Sequence, residues 1–121
     1  MSLPADVFVT DESGGCRLLD VPEGSSDLAG FERRRSTLWG SPAVRSLGAR
    51  FLPRLAEGDL DVAPAEVAEF TEEVLLLLGS AESLAARMDP PGRAGQIAAR
   101  LDNILDAARR AARVGGGVRI W

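Results

Sequence analysis

Between Glu57 and Glu73 the chain gathers a run of carboxylates around the turn EGDLDVAPAE: Glu57, Asp59, Asp61, Glu66, Glu69 and Glu73. A pair of carboxylic acids is sufficient for some hydrolyses, one acting as general acid and the other as base or nucleophile. Nothing in their spacing sets one such pair apart from the others. Two further uses compete for the same residues. Acidic side chains at a helix start are stabilised by the macrodipole, and a cluster of one sign steers an oppositely charged partner.

The other groups that do chemistry are sparse. All 14 basic residues are arginine, and histidine and tyrosine are absent, so the commonest general base and metal ligand is missing. Cys16 is the only thiol; it has no histidine to activate it and no second cysteine to pair with. It opens an apolar run, which suggests a small buried side chain. No catalytic, metal or cofactor residue is assigned, and the chain reads as a protein that is not an enzyme.

Two stretches raise the possibility of phosphate. Arg33, Arg34 and Arg35 are consecutive, and GGGVRIW (Gly115 to Trp121) sets three glycines beside arginines. On a helix three neighbours point in three directions, and Glu32 adjoins the run, so a solvated face is expected there. A phosphate loop needs glycines before a helix, where N–H donors are free. Gly115 to Gly117 come after one, where free carbonyls repel anions. They read as a helix stop followed by a strand with Val118 and Ile120 on one side and Arg119 and Trp121 on the other.

The 18 carboxylates outnumber the arginines, for a net charge of −4. Nucleic-acid binders usually show the opposite balance, so nucleic acid is not an expected partner. No secretory signal pattern opens the chain, and VLLLL (Val74 to Leu78) is too short to span a bilayer. With a single cysteine this points to a cytoplasmic protein with no membrane partner.

The elements that must position these groups form a single α+β domain over residues 1–121. DVFVT (Asp6 to Thr10) and CRLLDV (Cys16 to Val21) make an N-terminal hairpin around DESGG. A helix is expected from about Leu28, capped by Ser26 or Asp27 and stopped at Gly40 before Pro42, with Leu28, Phe31, Arg35 and Leu38 on one side. Ser41-Pro42 starts another, with Val44, Leu47, Phe51 and Leu55 as its stripe and Pro53 as its break. Leu60 to Val62 is a strand or an extended link. Pro64 opens the clearest helix, with Val67, Phe70, Val74, Leu77 and Leu78 inward. Ser80 caps its continuation, and Asp89-Pro90-Pro91-Gly92 stops it. The last helix runs from about Arg93–Gly95 to Val114 on a stripe of Ile97, Leu101, Ile104, Leu105, Ala108 and Ala112. The expected sheet has three or four strands, the hairpin plus the C-terminal strand, covered on one face by three or four helices. The last strand pairs with the hairpin, in parallel as a helical crossover favours, or antiparallel.

The hairpin, the turn and acidic helix of GDLDVAPAEVAEF, and the passage from RLDNILDAARRAARV into GGGVRIW together resemble small immunity proteins of bacterial polymorphic-toxin systems. The resemblance takes in about half of the chain and rests on a cap, a glycine stop and a strand. It implies stoichiometric inhibition: the protein binds one cognate toxin, expected to be basic, and holds it inactive. Candidate contacts are Glu57, Asp59, Asp61, Glu66, Glu69 and Glu73, with Trp39 and Trp121 as aromatic anchors. The alternative is a structural or adaptor domain that self-associates, as a homodimer or through a sheet edge.

Overall fold

Alternation of apolar and polar residues along SLPADVFVT produces a strand, β1 (Ser2–Thr10), with Leu3, Ala5 and Val7 buried on one side. It is the first element in a computed structural model that describes residues 1–88 and 91–121. Among the described residues the chain forms five strands and four α-helices, an α+β fold with an open antiparallel sheet. β2 (Cys16–Leu18) returns from β1 through a turn held by Asp11, whose carboxylate accepts from Ser13 N, Ser13 Oγ and Gly15 N. These three hydrogen bonds, led by that of the Ser13 hydroxyl, hold the Asp11 pKa below its ordinary value.

The segment expected as a helix from Leu28 divides in two. β3 (Leu28–Phe31) pairs antiparallel with the first residues of β1, and a single π-type turn covers Arg35–Trp39. Gly30 sits at φ +132°, a conformation no helix contains and that side chains avoid. Ser26 Oγ accepts from Leu28 N within a turn, so it caps no helix. The expected stripe dissolves with it: Leu38 is buried, while Phe31 is 50 % exposed and Arg35 binds carboxylates.

α1 (Pro42–Ser46) starts as expected, with Ser41 Oγ accepting from Val44 N. Pro53 does not kink a helix; it sits in the first turn of a separate 3₁₀ segment, Leu52–Ala56, where its missing N–H is harmless. Val44, Phe51 and Leu55 are buried. Leu60–Val62 is a strand, β4. A 3₁₀ turn at Pro64–Glu66 then leads into α2 (Val67–Gly79), where Val67, Phe70, Val74 and Leu77 face inward. α3 (Ala81–Arg87) follows without a side-chain cap from Ser80. Of the expected stop, Asp89 and Pro90 lie outside the described residues.

α4 (Ala94–Val114) is the central helix. Its buried side is Ile97, Leu101, Ile104, Leu105, Ala107, Ala108 and Ala111. Ala112, expected in the stripe, is exposed because the buried face follows Ala107 and Ala111 round the helix. α4 lies on the inner side of β1 and β5, and α2 and α3 pack against it.

The three glycines then do three different jobs. Gly115 takes the left-handed conformation at φ +65° and ends the helix. A Cβ on Gly116 would meet the Phe8 carbonyl, and one on Gly117 would meet the Phe8 ring and the Val62 carbonyl. β5 (Gly117–Ile120) therefore enters a slot that only bare backbone fits. It pairs antiparallel with both neighbours, giving the order β2-β1-β5-β4, while β3 pairs with the N-terminal half of β1. The count exceeds the expected three or four because β3 and β4 both join. Val118 and Ile120 are buried and Trp121 is exposed, as the alternation predicts.

Candidate interaction surface

The α4 side of the sheet is filled. The opposite face carries the outward residues of the same strands, and register aligns three of them. Asp6 is opposite Arg119, and Arg119 is opposite Asp61. Arg119 Nε donates to Asp61 Oδ1 at 2.7 Å, and its guanidinium lies 5.6 Å from the centre of the Phe8 ring. The bond to Asp61 raises the Arg119 pKa above the ordinary arginine value against the opposing effect of partial burial. The Phe8 ring in turn covers Gly117, and Leu18 of β2 stands beside it in register.

Trp121 closes the row. Its indole Nε1 donates to Asp6 Oδ2 at 2.8 Å and its main-chain N donates to Pro4 O, yet the residue is 47 % exposed. A second arginine locks the end of the strand. Arg35 donates to Glu32 Oε1, Gly58 O, Asp59 Oδ1 and the main-chain oxygen of Trp121, at 2.6 to 3.3 Å. Each exposed ion pair contributes little by itself. Together they fix the rotamers around a half-exposed indole.

The sequence-derived residues separate accordingly. Asp59 and Asp61 belong to this face, each held by an arginine, and Glu57 is exposed nearby in sequence. Glu66 accepts from Ala63 N and closes the turn before α2. Glu69 is exposed on α2, 3.9 Å from Arg50. Glu73 is not part of any acidic surface: it is buried to 9 % exposure, and its carboxylate accepts from the main-chain N–H groups of Arg50, Phe51 and Leu52. It caps the 3₁₀ segment Leu52–Ala56 from a different helix. The reason is geometric, since Glu73 shares the face of α2 with Phe70 and Leu77. Trp39 is likewise withdrawn as an anchor. It is 0 % exposed, and its Nε1 donates to Ala29 O inside the core. Of the two tryptophans, only Trp121 can meet a partner.

Cys16, expected to be buried, is exposed, because β2 is a short edge strand whose three residues all face solvent. Phe8, Asp6, Arg35 and Arg119 are residues of this face that sequence reading did not assign to a partner contact. Alternation along VFVT and VRIW marks the outward positions, but the cross-strand register that aligns them is not a local property. Among the described residues no group of three or more His, Cys, Asp or Glu side chains is placed to hold a metal ion, and no helix is long and apolar enough to cross a membrane. No protein-family model matches the chain, and neither a curated protein nor a solved structure matches it.

Proposed function

We propose that the protein acts without chemistry of its own, as an immunity-type inhibitor that binds a basic toxin in a stoichiometric complex through the outer face of its sheet. One observation carries this reading: Trp121 is held by its hydrogen bond to Asp6 on the face of the sheet away from α4, while half of the residue stays open to solvent. A side chain already fixed in one rotamer loses little entropy on binding, and tryptophan is the residue most enriched among interface anchors. The rim around it sets three carboxylates, Asp6, Asp59 and Asp61, against two arginines, Arg35 and Arg119, and this small acidic excess is in keeping with a basic partner. The resemblance to immunity proteins supplies the biological role.

The non-catalytic reading has support of the same kind. Asp59 and Asp61 are tied to arginines, Glu66 to Ala63 N, and Glu73 to three main-chain donors. Each thus has a structural duty that accounts for its place, which supports a non-catalytic reading. Self-association through an edge has less to work with, because β2 and β4 are three residues each and expose few ladder groups.

The test is co-expression with the product of the neighbouring gene. Rescue of growth from a toxic neighbour, with a one-to-one complex that survives purification, is the expected result. Trp121→Ala should weaken that complex by at least about 2 kcal/mol, roughly thirtyfold in Kd. Wild-type affinity in Trp121→Ala would remove the outer face from the interface. A harmless neighbour that forms no complex would remove the inhibitor role.

A further inference from the structure

Where β3, the π-type turn and the start of α4 meet, the chain forms a partly open cavity of about 200 Å³. Arg33, Arg34, Arg93 and Arg100 line it, and no carboxylate does among the described residues. Four arginines are unexpected for a protein with 14 basic residues in 121, since a random dozen of its positions would hold about one or two. None of the four makes an ion pair among the described residues, whereas Arg35, next in sequence to two of them, is fully engaged elsewhere. The Arg33-Arg34-Arg35 run thus divides. The helix expected there would have spread the three apart; the strand and turn that replace it send two to one cavity.

Apart from Gln96, the remaining side chains of the lining are apolar. Phe31, half exposed, forms one side with the Arg100 guanidinium 5.8 Å from its ring centre, and Leu38 and Ile97 form the floor. Gly30, held at φ +132°, brings main chain to the same cavity. α4 begins here with no acidic residue in its first turn and no side-chain cap, so its positive end adds to the field of the arginines.

Four like charges around one cavity repel each other, and partial enclosure beside apolar walls strengthens that repulsion. Four guanidinium-bearing side chains gathered at one cavity suit a ligand carrying more than one negative charge. Guanidinium groups match the oxygens of phosphate in a bidentate fork. The volume is below the roughly 300–1,000 Å³ of pockets for drug-sized ligands, which suits a ligand smaller than those. We infer that this cavity binds a small phosphomonoester: a dianionic phosphate held by Arg33, Arg34, Arg93 and Arg100, joined to one compact apolar or aromatic group that packs on Phe31, Leu38 and Ile97. The site shares no residue with the outer-face network, so it stands or falls separately from the inhibitor role.

The experiment uses the whole chain in buffered 0.15 M sodium chloride, with phenyl phosphate as probe and calorimetry and amide NMR as readouts. The expected result is saturable one-to-one binding, with the largest shifts at Gly30, Gln96 and Arg100. Inorganic phosphate should bind at least tenfold more weakly, because it lacks the apolar half, and benzoate should bind more weakly still. Arg93→Gln and Arg100→Gln should each lower affinity at least tenfold, while leaving the free protein as stable as wild type or more so through relief of repulsion. Arg109→Gln, an exposed α4 arginine outside the cavity, should leave affinity unchanged. Equal losses in Arg109→Gln and Arg93→Gln would reduce the effect to general charge. Equal binding of benzoate or inorganic phosphate, or no saturable binding of phenyl phosphate, would overturn the assignment. A marked loss of stability in both cavity variants would make the arginines structural and would overturn it as well.

Discussion

Glu73 offers a direct separation between an acidic contact surface and a structural carboxylate. One carboxylate oxygen accepts from Arg50 N and Phe51 N, and the other accepts from Phe51 N and from Leu52 N at 2.9 Å. Glu73→Gln keeps the shape and one acceptor but turns an NH₂ towards a main-chain donor, whichever way the amide is placed. Each hydrogen bond to a charged group contributes about 1.5–3 kcal/mol, and a buried donor left unpaired costs about 1–3 kcal/mol. Only one such bond is lost outright, so about 2 kcal/mol is expected. Glu73→Ala strands all three donors and leaves a void beside Phe70, raising the loss to roughly 3–5 kcal/mol. Domain stabilities are about 5–15 kcal/mol, so the alanine variant approaches the limit of folding. For a domain of this size the glutamine variant should melt about 6–12 °C lower. Urea unfolding followed by circular dichroism gives the free energies, and Glu72→Gln, one residue earlier and exposed, is the control. That control should stay within about 0.5 kcal/mol of wild type. If Glu73→Gln were as silent as Glu72→Gln, the cap would not exist and Glu73 would return to the surface.

The glycine triplet makes a graded prediction. Gly115→Ala should cost about 1–2 kcal/mol for its left-handed backbone, whereas Gly116→Ala and Gly117→Ala, which drive a Cβ into the Phe8 carbonyl and the Val62 carbonyl, should cost more; equal unfolding midpoints for the three variants would contradict the slot. At Asp11 the native pKa is depressed by the Ser13 and Gly15 donors. Its contribution to stability is therefore present above the unfolded-state value and lost as pH falls through the native one. The stability gap between wild type and Asp11→Asn should hold at neutral pH and close in acid, and a gap that widened in acid would reverse the sign of the argument. The two tryptophans should separate in fluorescence. Acrylamide should quench the wild type partly and Trp121→Phe hardly at all, since Trp39 is fully buried; strong quenching of Trp121→Phe would expose Trp39.

What the sequence discloses and what it conceals divide along the range of the forces involved. The period of α4, the stop at Gly115 and the alternation of VRIW are set by residues within one or two turns of each other, and the structure keeps them, with Ala112 alone of the expected α4 stripe turned outward. The segment from Leu28 to Leu38 shows the opposite. Its leucines and its serine and aspartate satisfy the local requirements of a capped helix. What overrides them is the free edge of β1 and the carboxamide of Asn103, which donates to Leu28 O from 75 residues away. Glu73 was concealed for a similar reason. Its charge argues for solvent, while its position on the inward stripe of α2 argues for burial, and the three donors that settle the contest belong to a loop more than twenty residues earlier.

The same reasoning explains why net charge was a poor guide to where this protein meets other molecules. The excess of carboxylates is real in the sum, yet much of the run from Glu57 to Glu73 is consumed internally: by Arg35, by Arg119, by Ala63 N and by the 3₁₀ segment. The positive charge follows the reverse course. Arginines scattered along the chain at 33, 34, 93 and 100 converge on one cavity whose lining includes no carboxylate among the described residues. Electrostatic recognition depends on the field at a surface, and folding redistributes that field by pairing some charges and assembling others. A fold can thus be acidic in total and still present a basic cavity, and the two surfaces can take partners of opposite sign. For this chain, raising salt should weaken both a basic protein at the Trp121 face and a phosphomonoester at the arginine cavity. The two responses must separate under mutation: Asp61→Asn should alter only the first and Arg100→Gln only the second. A variant of either kind that moved both would show that the face and the cavity are one coupled site.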